Sequence, residues 1–296
     1  MADILCLGEP LVEFVRQDDG TYRQGFGGDT SNAAIAAARQ GASVGYLTAL
    51  GRDRFGDAVM ELWASEGVDA AAVRRAPDAP TGIYFVDPDP EGRYFTYYRA
   101  GSAASRYGPD DLDAHALRKA RVLHLSGITL AVSARLRAAA LRAAEIVRDA
   151  GGTVSLDTNL RLKLWDAEEA RRITDQTMEL AGIAITSIDD SAHLTGLDDP
   201  DQIIAHYQGM GPEIVLVTLG AEGARLGFGP ERASIPPAHS EPIDSTGAGD
   251  SFSGAFLAYW RETGDPVEAA TRAAKVAAGT VSGLGAVAPI PRRGQI

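Results

Sequence analysis

Cysteine is almost absent from this chain of 296 residues, and its single thiol, Cys6, excludes an intrachain disulfide and any cysteine metal cluster. A reducing compartment is the default for such a composition. Basic clusters are missing too. Lys and Arg number 28 against 40 Asp and Glu, a net charge of −12, and no basic run interrupts the acidic field. Proteins that hold nucleic acid or anionic lipid through their overall field carry a basic excess or stripe. Neither is an expected partner here, and any anion must be held locally. No apolar run reaches the ~18 residues that span a bilayer. The opening MADILCLGEPLVEFV puts Asp3, Glu9 and Glu13 where a secretory leader needs a basic start and an unbroken apolar stretch. The expectation is a soluble cytoplasmic protein. The five histidines, His115, His124, His193, His206 and His239, lack metal-ligand spacing and are read as structural or surface residues. The dinucleotide fingerprint Gly-x-Gly-x-x-Gly is begun by Gly25 and Gly27 but fails at Thr30, which disfavours a dehydrogenase.

What is present is an ordinary globular balance, 45% apolar and 23% charged, which argues against disorder. Apolar runs of strand length, Ile4–Leu7, Val44–Leu50, Val122–Leu125, Thr153–Leu156, Ile183–Thr186 and Ile214–Thr218, alternate with helical patterns such as Arg135–Ala150. That rhythm implies βαβ units and a mostly parallel sheet covered on both faces, with ligands bound at the strands' carboxyl ends. Thr81–Asp87 and Arg93–Arg99 break it: they read as an aromatic hairpin joined by a turn at 88–92. Its aromatic surface must lie on something, either as a small β lid over the main sheet and a dimer surface, or as an antiparallel edge of that sheet.

The segment DSTGAGD, Asp244–Asp250, precedes a helical pattern. Gly247 and Gly249 let the backbone turn and present N–H groups, and the following helix adds its positive dipole end, which together make an anion cradle. A carboxylate beside a bound phosphate is repelled unless it has a task. The task read for Asp250 is to accept the proton of an attacking hydroxyl; the alternative is a glycine turn with an Asp favoured by the dipole. A second glycine turn, Gly27–Gly28, leads through Asp29, Thr30, Ser31 and Asn32 into an Ala-rich helix. Asn32 can donate to and accept from sugar hydroxyls, or Asp29, Thr30 and Ser31 are simply caps.

GGDTSNAA near the start together with DSTGAGD about fifty residues before the end resembles the two motifs of the ribokinase-like (PfkB) carbohydrate kinases, in that family's order and separation. The resemblance implies one kinase domain over 1–296 with a three-layer α/β/α fold, a mostly parallel central sheet and a β lid formed by about 10–26 and 80–102. It implies ATP and Mg2+, Asp250 as base, and an anion hole at Gly247, Ala248 and Gly249. GEPLVEF, YYRAGSAAS and DTNLRLKLW further resemble strings of the 2-keto-3-deoxygluconate kinases. Tyr97 and Arg99 project to one face of a strand and Tyr84 can join them; a guanidinium there suits a carboxylate, which an aldonic acid has and a neutral sugar lacks. The substrate set is then Gly27, Gly28, Asn32, Tyr84, Tyr97, Arg99, Arg161 and Asp250. The nucleotide set is Ser187, Thr218, Gly220, Gly223, Gly247 and Gly249, although a hairpin turn explains Gly220 and Gly223 nearly as well. In place of the family's Asn-x-x-Glu stands Ser187-Ile188-Asp189-Asp190, so Asp190 is left to hold a metal-bound water. GTVSGLGAVAPIP resembles the family's adenine and monovalent-cation loop, which implies a cation such as K+. The expected partners are a small sugar acid and ATP, with a homo-oligomer formed through the lid. The competing readings are a neutral-sugar kinase, such as a fructokinase or ribokinase, and a catalytically silent sensor.

Overall fold

Alternation along the first strand sets the layers: Ile4 and Cys6 enter one buried cluster, Leu5 and Leu7 another. A strand buried on both faces needs helices on both, the usual state of a parallel sheet. The computed structural model describes residues 2–89 and 92–296. The first part of the chain gives β1 (Ile4–Leu7), β2 (Leu11–Arg16), β3 (Tyr22–Gly27), α1 (Asp29–Arg39), β4 (Val44–Leu47), β5 (Ala49–Gly51) and α2 (Arg54–Glu66). Then come β6 (Val68–Asp69), β7 (Arg74–Ala76), β8 (Ile83–Asp89), β9 (Gly92–Tyr98), α3 (Ala114–Lys119), β10 (Val122–Ser126), α4 (Gly127–Ala131) and α5 (Ala134–Asp149). The last part gives β11 (Thr153–Asp157), α6 (Ala167–Met178), β12 (Ile183–Ser187), α7 (Ile188–Thr195), α8 (Pro200–Gln208), β13 (Ile214–Thr218), β14 (Ala224–Phe228), β15 (Glu231–Ile235), α9 (Ala248–Thr263) and α10 (Pro266–Val281).

The main sheet has the order β15-β14-β13-β12-β11-β10-β1-β4-β6. From β13 to β6 every pairing is parallel; β14 alone is reversed, pairing antiparallel with both β13 and β15. The carboxyl ends of β1, β10, β11, β12 and β13 therefore open along one edge. Helices α1, α2, α9 and α10 cover one face, and α3, α5, α6 and α8 the other. The fold is the expected α/β class. The predicted strand Val44–Leu50 is two strands, because β5 leaves the main sheet and pairs in parallel with β7.

The aromatic hairpin is not an edge of the main sheet. Strands β8 and β9 join β2 and β3 in a separate four-stranded sheet, β3-β2-β8-β9. The turn expected at 88–92 contains Pro90 and Glu91, which lie outside the described residues.

Candidate active site

Helix starts reveal where the chain leaves donors unused. Among the described residues, eight of the ten α-helices begin at a Ser or Asp whose side chain accepts a first-turn N–H, such as Asp53, Ser133, Asp166 and Asp265. The exceptions are α1 and α9, which start at Gly28 (φ 105°) and Gly247 (φ 77°) with no side-chain cap. The first N–H groups of a helix lack intrahelical acceptors, so a ligand can take the place of the cap. Of the anion-hole residues, Ala248 already donates its N–H to the Ser245 carbonyl at 3.2 Å. Gly247 is required by its left-handed conformation; a Cβ there would also lie 2.8 Å from the Ala286 carbonyl oxygen. Gly249 is different: it has ordinary helical geometry, and a Cβ would meet nothing within 4 Å. The fold gives no reason for a glycine at 249, whereas close approach of a ligand would. Asp250 occupies the first turn of α9 rather than the cap itself.

The two glycine-started helices are held together by a third glycine. Gly254 of α9 abuts α1 so closely that a Cβ there would lie 2.0 Å from the Ala33 carbonyl oxygen. This crossing brings Asn32 to Asp250, with Asn32 Nδ2 donating to Asp250 Oδ2 at 2.8 Å. The other amide atom, Asn32 Oδ1, is buried and accepts nothing. An unpaired buried acceptor costs about 1–3 kcal/mol, and a substrate hydroxyl at that position would pair it. Asp250 is pushed up to about 6, first by burial and then by the charge of Asp29; Asn32, Arg161 and Asn159 oppose the shift. Asp157, at the end of β11, is pushed up to about 7 by burial, then by Asp250, while it accepts from Ser253 Oγ at 2.8 Å.

The small sheet supplies the next wall. Tyr84 and Tyr97 are directly paired across β8 and β9 and stack at 5.4 Å. Arg99 lies over Tyr97, 5.6 Å from the ring centre. The charge of Arg161 acts on Tyr97, Asp29 and Asp250 alike, so the predicted substrate residues converge. Gly27 is where Tyr84 sits: a Cβ would lie 2.4 Å from its hydroxyl oxygen. Gly28 packs on the Glu9 carbonyl oxygen, 2.5 Å from such a Cβ.

The Tyr84 proton is committed, since its hydroxyl donates to the buried Glu13 Oε2 at 2.5 Å; toward a ligand Tyr84 offers its ring and an acceptor oxygen. Nor is Arg99 unexplained without an acidic substrate. Its Nε donates to Glu9 Oε2 at 2.6 Å, Nη2 contacts the same oxygen, and Ser102 Oγ donates to Glu9 Oε1 at 2.6 Å. The Glu9 side chain is wholly buried, so removing Arg99 alone would strand a buried charge, a loss of about 3–5 kcal/mol.

On the nucleotide side, Ser187 and Thr218 are register partners at the ends of β12 and β13. Ser187 caps α7 by accepting the Asp190 N–H at 3.0 Å, and Thr218 Oγ1 donates to the Thr186 carbonyl at 3.3 Å. Gly220 and Gly223 form the turn between β13 and β14, with φ of 59° and 95°; the hairpin accounts for both. Asp190 Oδ2 anchors a loop, accepting from Thr158 Oγ1 at 2.9 Å and from the Leu160 N–H at 3.0 Å. Among the described residues no group of three or more His, Cys, Asp or Glu is placed to hold a metal ion. Next to the DSTGAGD turn, an open cleft of about 650 Å³ is lined by His239–Ile243 and Ser282.

Asp29 is read from sequence only as a helix cap, and Asn159, although it follows a strand to the carboxyl end where the site is expected, is given no role there. Asn159 has φ 30°, the only positive value at a non-glycine among the described residues, a strain characteristic of functional positions. A legible signal was its place after a strand, in Asp-Thr-Asn-Leu-Arg. Of the histidines, His124 is buried against Ser155 and held down to about 4 by desolvation.

A sequence profile described as "pfkB family carbohydrate kinase" matches residues 1–293. The chain is 35% identical over 312 residues to 2-dehydro-3-deoxygluconokinase of Thermoproteus tenax, with 100% of this chain and 94% of that protein covered. It is 32% identical over 300 residues to the protein of the same name in Escherichia coli (strain K12), with 97% of each covered. Among solved structures, a fructokinase with bound ATP from Xylella fastidiosa superposes with a TM-score of 0.87 at 25% identity, over 98% of this chain and 96% of that one.

Proposed function

The chain belongs to the pfkB family of carbohydrate kinases, and from that premise we propose that it phosphorylates the terminal hydroxyl of 2-keto-3-deoxygluconate (2-dehydro-3-deoxygluconate) with ATP. The observation that carries the proposal is the uncapped start of α9, where Asp250 stands beside first-turn amides and is bonded to Asn32. The hydroxyl oxygen attacks the γ-phosphorus, its proton passes to Asp250, and the bond to the β-phosphate oxygen breaks to release ADP. The amides of Gly247–Gly249 stabilise the charge on the transferred group. Asn32 holds a hydroxyl. Arg99, through Nη1, and the exposed Arg161 take the carboxylate. The adenosine end of ATP lies toward Ser187, Thr218, Gly220 and Gly223 and the cleft at His239–Ile243. Mg2+ suits a site with few protein ligands, since it is commonly held by one or two carboxylates plus phosphates and water. Asp190, through water, is the carboxylate that would hold it, and the ion would neutralise phosphate charge. The K+ loop falls at 279–291. The small sheet closes over the sugar and excludes water. Its exposed Tyr22, Tyr94 and Tyr98 suit a second copy of the chain.

A neutral-sugar kinase is the second reading, favoured by the Glu9–Arg99 pair, which already neutralises one of the two cations. ADP release with Mg·ATP over 2-keto-3-deoxygluconate, its galactonate epimer, fructose and ribose decides between them, and turnover of neutral sugars alone would sink the sugar-acid reading. Arg161→Ala is the cleaner arginine variant. The side chain is exposed and donates to the Leu160 carbonyl of its own loop, so the melting temperature should hold while KM for the acid rises about tenfold or more. An unchanged KM removes Arg161 from the site. Gly249→Ala should leave stability unchanged or raise it by up to ~1 kcal/mol yet reduce kcat at least tenfold, since the methyl occupies the space of the phosphate. Full activity would show that the glycine has no ligand-related reason.

A further inference from the structure

Asp29 lies in α1, is 8% exposed, and has no part in the transfer described above. Its surroundings are unusual for a carboxylate. Asn159 Nδ2 lies 3.4 Å from Asp29 Oδ2 and 3.3 Å from Asp250 Oδ1, so one amide serves both acids. Asn159 is the strained residue of the loop, held by its N–H donating to Asp157 Oδ1 at 3.1 Å. Ser126 Oγ donates to Asp29 in a short contact. We propose that Asp29 is a charge-setting residue of the active site: held across the shared Asn159 amide, its negative charge makes Asp250 a stronger base than a solvated aspartate. This rests on Asp250 being the base.

The chemistry gives the arrangement a purpose. A solvated Asp takes a proton only near pH 4 and draws weakly on a hydroxyl, and general-base efficiency improves as proton affinity approaches the working pH. A second carboxylate nearby resists ionisation of the first, which is the direction in which Asp250 is shifted, with the Asp29 charge the largest cause after burial. The other groups facing Asp250 are Asn32 from α1, Asp157 from β11, Asn159 and Arg161 from the following loop, and Tyr84 from the small sheet. Asn32, Arg161 and Asn159 pull its affinity down. Around Asp29 stand Ser126, Arg99, Arg161, Glu9, Cys6, Tyr46, Tyr97 and Asp157; burial raises its proton affinity, against which Ser126, the Thr30 N–H, Arg99 and Arg161 favour its charged form.

The test is the pH dependence of kcat/KM in the wild type and in Asp29→Asn, with the carbon-13 carboxyl titration of Asp250 followed in both ATP-free proteins. The expected result is an acid limb and a carboxyl titration displaced downward by about one pH unit, with the neutral-pH rate reduced about threefold to tenfold and KM for ATP not raised. Ser126→Ala, which removes a bond that favours charged Asp29, should move both in the same direction by less. Superimposable titration curves in a folded Asp29→Asn protein overturn the proposal. If instead Asp250→Asn keeps its rate, the base has been misassigned and the proposal falls with it. If the curves move but the sugar acid is not turned over, only the substrate reading fails.

Discussion

Asp250→Ala should lower kcat about 10²–10⁴-fold, the usual contribution of a general base, while ATP affinity changes little. The carboxylate is half-buried and lies at the start of α9, where burial and Asp29 raise its proton affinity to about 6. The base must be ionised to work, so wild-type kcat/KM should rise with pH through about 6 and level off above it. The Ala variant should lose that limb along with the rate. Steady-state kinetics and nucleotide titration calorimetry measure the two halves of the prediction. A rate within tenfold of wild type, or an ATP affinity that collapses together with kcat, would contradict the role. Asp250→Asn keeps the size and the partnership with Asn32, and should be nearly as inactive if the proton is what matters.

Gly254→Ala should be strongly destabilising for a single added methyl. The added carbon would sit 2.0 Å from the Ala33 carbonyl oxygen and within 3 Å of two further Ala33 backbone atoms. Backbone cannot rotate aside as a side chain can, so α1 and α9 must separate. Overpacking of this kind costs about 3 kcal/mol at the upper end of the usual range, or a fall in melting temperature of about 6–12 °C for a domain of this size. Activity should fall further than stability accounts for, because the same crossing sets the 2.8 Å bond between Asn32 and Asp250. A melting temperature within 2 °C of wild type by scanning calorimetry would mean that the helices are not in this contact.

The layers were legible because burial on both faces of a parallel sheet writes itself as short apolar runs, as at Ile183–Ser187 and Ile214–Thr218. The glycine start of α9 was legible because glycine has few substitutes where a helix begins in a left-handed turn, as at Gly247. Other features had no local signature. The four-stranded sheet joins strands separated by more than fifty residues, such as Val12 with Ile83. The role of Arg99 depends on Glu9, ninety residues away. Asp29 reads as a helix-capping residue in sequence because its partners, Ser126 and Asn159, are about 100 and 130 residues further on.

Composition and motif spacing alone thus determined an α/β chain with no basic field, two helices that start at glycine turns, and Asp250 in the first turn of one of them. The tertiary structure alone decided which charges meet. It gave Arg99 to Glu9, the Tyr84 hydroxyl to Glu13, and a shared amide to Asp29 and Asp250. Periodicity records burial, which is a property of each residue, whereas pairing of charges across elements is a property of the crossing. Here a single missing Cβ at Gly254 sets the crossing of α1 and α9.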